Sequence, residues 1–189
     1  MSEVIPAVAI PEGRMGPWSV ERFEVAAREA ALFSINRQGR CIKAGTYTRL
    51  SHEERGVVMS DTPAEKRDHV GFVVNAKGHV LINGLGLGMC LAAALRKPEV
   101  ERVTVVELDA DVIALVGKHY DGDPRVEIVH CDAFSYQPPK GVRYGAVWHD
   151  IWDDICSDNL PEMTRLHRKY GRRADWQGSW ARYECERRR

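Results

Sequence analysis

The 189-residue sequence lacks any apolar run approaching the roughly 20 residues that cross a bilayer, so no transmembrane helix is expected. It also lacks a CxxC pair. Cys41, Cys90, Cys131, Cys156 and Cys185 are scattered and odd in number, which disfavours a zinc knuckle or a disulfide framework. Reduced, mostly buried thiols and no metal site are the expectation. No basic segment precedes the short apolar stretch near the N-terminus, where prolines and acids stand instead; a secretory signal is not expected and a cytoplasmic location is. Net charge is absent too, with 27 basic and 27 acidic residues, but the balance is uneven. Residues 165–189 carry nine Lys/Arg against three acids. A basic tail on an acidic body leaves nucleic acid open as a partner, although a solvated face is the commoner outcome.

What is present is an ordinary globular balance, 44% hydrophobic and 29% charged, over a length that suits one full core. Residues 1–17 read as an irregular arm. Phe23, Ala26, Ala27, Ala30 and Phe33 recur at helical spacing and predict a helix from Ser19 to about Asn36. Cys41–Leu50 and Gly56–Met59 predict a hairpin, and Pro63 opens a helix that runs to about Ala76. Beyond it, apolar runs at 80–82, 103–106, 126–129 and 144–148 alternate with helical segments, the pattern of βαβ units and a parallel sheet. The expected organisation is therefore an N-terminal arm, helix and hairpin over 1–62. An α/β, Rossmann-like cofactor-binding domain with a helical, basic C-terminal tail follows over 63–189.

The first run meets glycines at once: Val80-Leu81-Ile82-Asn83-Gly84-Leu85-Gly86-Leu87-Gly88-Met89. Glycines let a backbone approach a ligand at the start of a helix. Glu107 stands nineteen residues past Gly88, at the end of the second run, where a carboxylate can accept hydrogen bonds from both ribose hydroxyls. The dinucleotide fingerprint needs a glycine where Met89 stands, so GxGxG favours S-adenosylmethionine over a nicotinamide cofactor. Asp132, after the third run, is placed to meet an adenine amino group.

Residues 80–159 resemble the class I S-adenosylmethionine-dependent methyltransferases, and within them most closely the spermidine synthase (aminopropyltransferase) branch. The resemblance rests on the glycine loop, on Pro98–Asp109, on Asp123–Glu127, and on Ile82 in place of an acid. It implies that Gly84, Gly86 and Gly88 line the methionine side of the cofactor. Glu107 would hold ribose, and Asp132 with Ala133 would meet adenine. The loop departs from that branch at Leu87, which stands where the aminopropyltransferases carry an aspartate facing the aminopropyl ammonium. Losing that charge favours intact S-adenosylmethionine as donor.

The fourth run ends Trp148-His149-Asp150-Ile151-Trp152-Asp153. Asp150 and Asp153 match the two acids of the branch's aspartate-serine-serine-aspartate stretch, while Ile151 and Trp152 depart from it. Asp150 is the candidate to orient or deprotonate an amine, His149 and Asp153 are further candidates, and Trp152 is a candidate wall for a cation or flat base. Asp61, Glu65, Asp68 and His69 are candidates to close over the cofactor from the N-terminal side, but without supporting spacing they read as a solvated helix face. Trp176, Trp180 and Tyr183 share helical spacing and read as core. With Asn159–Arg173 and Trp176–Arg187 both reading as helix, the parallel sheet is expected to stop at its fourth strand. Its uncovered edge would then need residues 41–60 or a second subunit, making a homodimer. The leading expectation is methyl transfer from S-adenosylmethionine to a small amine. Spermidine synthase-like aminopropyl transfer and a non-catalytic nucleotide-binding or assembly role are the rivals.

Overall fold

A computed structural model describes residues 4–30 and 42–188. The far part of the helix expected to reach Asn36, and Cys41 at the head of the expected hairpin, lie outside those residues. Among the described residues nine strands form two sheets. The first is antiparallel, in the order β1 (Gly13–Met15), β2 (Trp18–Val25), β3 (Gly45–His52), β4 (Gly56–Ser60). Trp18–Val25 thus corrects the helix expected from Ser19. The chain pairs with β3 from Trp18 opposite His52 to Val25 opposite Gly45, and Trp18 and Val20 alternate into the core. The alanines that suggested a helix begin only after this strand ends. The expected hairpin is β3 and β4.

The second sheet is parallel, in the order β7 (Val126–His130), β6 (Val100–Glu107), β5 (Gly78–Asn83), β8 (Tyr144–His149), β9 (Ala174–Ser179). Strand order reverses between β5 and β8, which makes the carboxyl ends of these two strands a topological switch point. Helix α1 (Pro63–Asn75) precedes β5, α2 (Met89–Leu95) follows it, and α3 (Ala110–Leu115) follows β6. The Asp109 carboxylate starts α3 by accepting the amides of Asp111 and Val112. Helix α4 (Leu160–Tyr170) leads to β9, and α5 (Arg182–Glu186) ends the order.

Strand β9 corrects the reading of residues 176–187 as one helix. Its sequence, Ala-Asp-Trp-Gln-Gly-Ser, has no β-branched residue, so local propensity gives no sign of a strand. Pairing decides instead: Tyr144 opposes Ala174 and His149 opposes Ser179, while the Trp176 ring stacks on Trp148 at 6.2 Å. Trp176 therefore packs from a strand, Trp180 is buried and Tyr183 is exposed. The edge of β8 is covered by β9 rather than by residues 41–60. One apolar cluster joins the two sheets, running from Trp18, Val20 and Leu50 through Phe72 to Val80, Ile82, Val105 and Trp148.

Candidate functional site

The carboxyl ends of β5, β6, β7 and β8 border a cleft of about 580 Å³, within the usual range of small-molecule sites. Its floor is the turn after β5. Gly84 has φ of +95°, and a side chain there would collide with the carbonyl oxygen of Asp150, so only glycine lets the β5 and β8 tips meet. Gly86, at φ of +51°, faces Met59 from β4. The Met59 sulfur accepts the Leu87 amide at 3.3 Å. No sequence pattern pointed to Met59, because a lone thioether at a strand end carries no signal.

Glu107 closes the second side. One carboxylate oxygen accepts the Leu85 amide at 2.7 Å and the other the Asp109 amide at 2.9 Å. Burial raises its pKa, against the lowering effect of the amides of Leu85, Asp109 and Leu108. Asp132 and Ala133 border the cleft from the end of β7. The Asp132 carboxylate turns back onto its own loop, accepting the Phe134 amide and the Ser135 hydroxyl.

Asp150 stands at the switch point with its side chain only 6% exposed. Its pKa is pushed up to about 8, first by burial and then by Glu65, with Asp68 and Glu107 adding to the effect and Trp148 opposing it. The carboxyl group is therefore largely protonated at neutral pH until a cation comes beside it. Asp153 crosses the mouth of the cleft to pair with Arg55 at 3.3 Å, and the Arg55 guanidinium also lies over the Trp18 ring at 4.9 Å. Trp18 and Trp152 each line the cleft with the indole N–H anchored, Trp18 on Asp109 and Trp152 on Glu162, both at 2.8 Å. The lining is strongly acidic: Glu54, Glu107, Asp109, Asp132, Asp150, Asp153 and Glu162 face one arginine, Arg55.

The structure brings Gly84, Gly86, Glu107, Asp132, Ala133, Asp150, Trp152 and Asp153 to one cleft. Two candidates lie elsewhere. Gly88 caps α2 and accepts the Tyr120 hydroxyl, bordering a separate cavity of about 410 Å³ beneath Pro6–Ile10. His149 points to the other side of the sheet, fully buried, with Nδ1 2.8 Å from the Asn83 amide nitrogen. Burial and the neighbouring His167 drive its pKa down to about 3. Alternation along a strand explains the split, since Trp148 and Asp150 share one side and His149 takes the other.

Leu87 is fully buried and lines the cavity under the arm rather than the cleft. The helix face read as solvated is not. Asp61 is buried and accepts the amides of Val8 and Thr48, Glu65 accepts the Ser60 amide, and His69 is fully buried beside Asp150. Helical periodicity was no guide here because α1 packs on β8 and β9 through His69 and Phe72.

No family model matches the chain. Its local sequence likeness is to polyamine aminopropyltransferases. The polyamine aminopropyltransferase of Synechococcus sp. (strain JA-2-3B'a(2-13)) is 36% identical over 95 residues, covering 45% of this chain and 30% of that protein. Polyamine aminopropyltransferase 2 of Ralstonia nicotianae is 36% identical over 69 residues, covering 32% of this chain and 14% of that protein. The chain thus matches less than a third of the length of either relative. Among solved structures, spermidine synthase from Thermotoga maritima superposes with a TM-score of 0.44 at 21% identity, covering 68% of this chain and 49% of that one. The CcbJ methyltransferase from Streptomyces caelestis gives 0.44 at 21%, covering 58% and 44%. Among the described residues no helix is long and apolar enough to cross a membrane.

Proposed function

We propose that the cleft binds S-adenosylmethionine and that the protein transfers its methyl group to a small amine. The observation that carries this reading is the single acidic cleft at the switch point, bordered by the Gly84–Gly86 turn and the Glu107 carboxylate. A sulfonium and an amine are both cations, and the cleft's acidic side chains outnumber its one arginine even with Asp150 neutral and Asp153 paired to Arg55, which favours cations. The residues fit the cofactor in three places. The glycine turn gives a side-chain-free approach, Glu107 offers a carboxylate at ribose height on the neighbouring strand, and the Asp132–Ala133 segment adds an edge for the base.

The bound cofactor would supply an already activated methyl group. The protein's own task is then alignment and proton removal. Asp150 pairs with the acceptor's ammonium at the strand tip and takes its proton. Trp152 offers a π face to the same cation, and Arg55 with Asp153 closes the mouth. Met59 turns away from the Leu87 amide to admit the cofactor, a movement its unbranched side chain permits.

Aminopropyl transfer from decarboxylated S-adenosylmethionine is the second reading, favoured by the sequence likeness over 95 residues. Leu87 lines the other cavity, so the side chain at that position does not decide between the two donors. Calorimetry distinguishes the two, with intact cofactor expected to bind more tightly than the decarboxylated form; the opposite preference selects aminopropyl transfer. Glu107→Ala should weaken either cofactor by about 2–3 kcal/mol, the scale for hydrogen bonds to a charged group. Equal binding by wild type and variant removes Glu107 from the site.

A further inference from the structure

Behind the cleft, three side chains of metal-binding type converge from three elements. His69 lies on α1, Cys90 in the first turn of α2, and Asp150 directly after β8. One imidazole nitrogen, the thiol sulfur and one carboxylate oxygen all lie within 4.8 Å of one another. His69 Nδ1 is 3.7 Å from the Asp150 carboxylate. His69 and Cys90 are buried, whereas Asp150 borders the cleft, so the group is closed on one side and reaches the cavity on the other. The Trp148 ring meets the His69 ring edge-on at 5.8 Å and limits its rotation. Sequence spacing hides the cluster, because His69 and Cys90 are 21 residues apart and Cys90 and Asp150 are 60 apart.

The geometry points to a zinc-type divalent ion held by His69, Cys90 and Asp150, with its fourth position open to the cleft. Zinc accepts nitrogen, thiolate and carboxylate donors together, at roughly 2.0–2.3 Å, whereas calcium and magnesium select oxygen donors. A tetrahedron with bonds of that length sets its ligand atoms about 3.4–3.7 Å apart. For a nitrogen and an oxygen ligand the spacing is at the short end, about 3.4 Å, so the His69–Asp150 pair at 3.7 Å must close by a few tenths of an ångström. The widest pair in the cluster must close by about 1 Å, within reach of side-chain rotation.

Three protein ligands and one open position is the arrangement of a reactive rather than a purely structural zinc site. The open position would take water or the heteroatom of an acceptor. With the ion bound, Asp150 would meet the acceptor through it, in place of the direct proton removal proposed above, while cofactor binding at the glycine turn and Glu107 does not depend on the ion.

The test uses the full chain, stripped with chelator and dialysed, and titrated with zinc alone by calorimetry and with cobalt(II) by absorption. One equivalent of zinc is expected to bind. Cobalt is expected to give a thiolate-to-metal charge-transfer band and the intense visible bands of a tetrahedral site. Cys90→Ser should abolish the charge-transfer band and weaken zinc at least about 100-fold, more than loss of an outer partner costs. His69→Gln should weaken zinc comparably while leaving any residual thiolate band. Thermal melting in chelator reports whether each variant folds. Binding below one equivalent by folded wild type, a cobalt spectrum without thiolate character, or full zinc affinity in folded Cys90→Ser would each overturn the site. Cofactor titration of wild type and Glu107→Ala in chelator fails or succeeds separately, so the two readings stand or fall apart.

Discussion

His149 and Asp150 are neighbours in the chain and opposites in the fold. Both are withdrawn from water and both are driven toward their neutral forms, the imidazole down to about 3 and the carboxyl up to about 8. Burial is the first cause in each case. The sides of the sheet differ in what lies next. Around His149 stand Asn83, His167 and Tyr170, with α4 closing the space. Around Asp150 the space opens into an acidic cleft, with Glu65, Asp68 and Glu107 in electrostatic reach. A perturbed titration therefore does not by itself mark a working group. An opening to a ligand beside it does.

The largest expected effect separates the two residues in a turnover assay with labelled cofactor and a panel of amines. At neutral pH Asp150→Asn should melt no lower than wild type, since a neutral side chain escapes the burial penalty on the carboxylate, and should keep cofactor affinity while turnover falls about 10²-fold or more, the scale for loss of a positioned base. His149→Leu should leave the rate per folded molecule nearly unchanged. A His149 variant that melts normally yet loses turnover would erase the distinction between the two sides.

Stability should show the reverse pattern. His149→Leu strands the Asn83 amide in a buried environment and should cost about 2 kcal/mol in urea unfolding, the usual penalty for an unpaired buried donor. An unchanged unfolding midpoint would mean that the His149–Asn83 contact contributes nothing.

The pH dependence sharpens the comparison, because the two groups pull in opposite directions. For His149 the folded pKa lies below the unfolded one, so its contribution is present above about 6.5 and is lost as pH falls toward about 3. For Asp150 the folded pKa lies above the unfolded one, so its contribution is present below about 4 and is lost as pH rises toward about 8. Each isolated slope is about 1.4 kcal/mol per pH unit. Measured in chelator, the two should largely cancel in the wild type between about pH 4 and 6.5. Asp150→Asn should then unmask falling stability toward acid, and His149→Leu rising stability. Parallel profiles for the two variants would contradict the opposed shifts.

How far the sequence reveals this arrangement depends on whether a feature is written locally. The four apolar runs of the parallel sheet, the glycine turn and the acids at strand ends are local, and the cleft gathers all but Gly88 and His149 of the residues they indicated. Strand β9 is not local: Ala174–Ser179 is a strand because β8 offers its edge and Trp148 its ring. Strand β2 was masked by the alanines beyond it, although Trp18 and Val20 already alternate. The roof of the cleft, with Trp18, Arg55 and Met59, depends on how one sheet lies against another, and no spacing within either segment encodes that.

The smallest effect expected is at Trp152, on the open side of the comparison. Its indole N–H donates to Glu162, which is exposed, so Trp152→Phe frees a carboxylate that water can satisfy. The stability cost should stay within about 1 kcal/mol, the net worth of an ordinary hydrogen bond. Phenylalanine keeps an aromatic wall but presents a weaker π face to a cation, a difference of about 0.5–1 kcal/mol. KM for a cationic acceptor should therefore rise severalfold with kcat unchanged, because the wall contacts the ground state and the transition state alike. A fall in kcat at unchanged KM would place Trp152 in alignment of the acceptor rather than in holding it. A large drop in melting temperature would assign the ring to the packing between α4 and the cleft floor, and the open side of the sheet would then lose one of its aromatic walls as a binding surface.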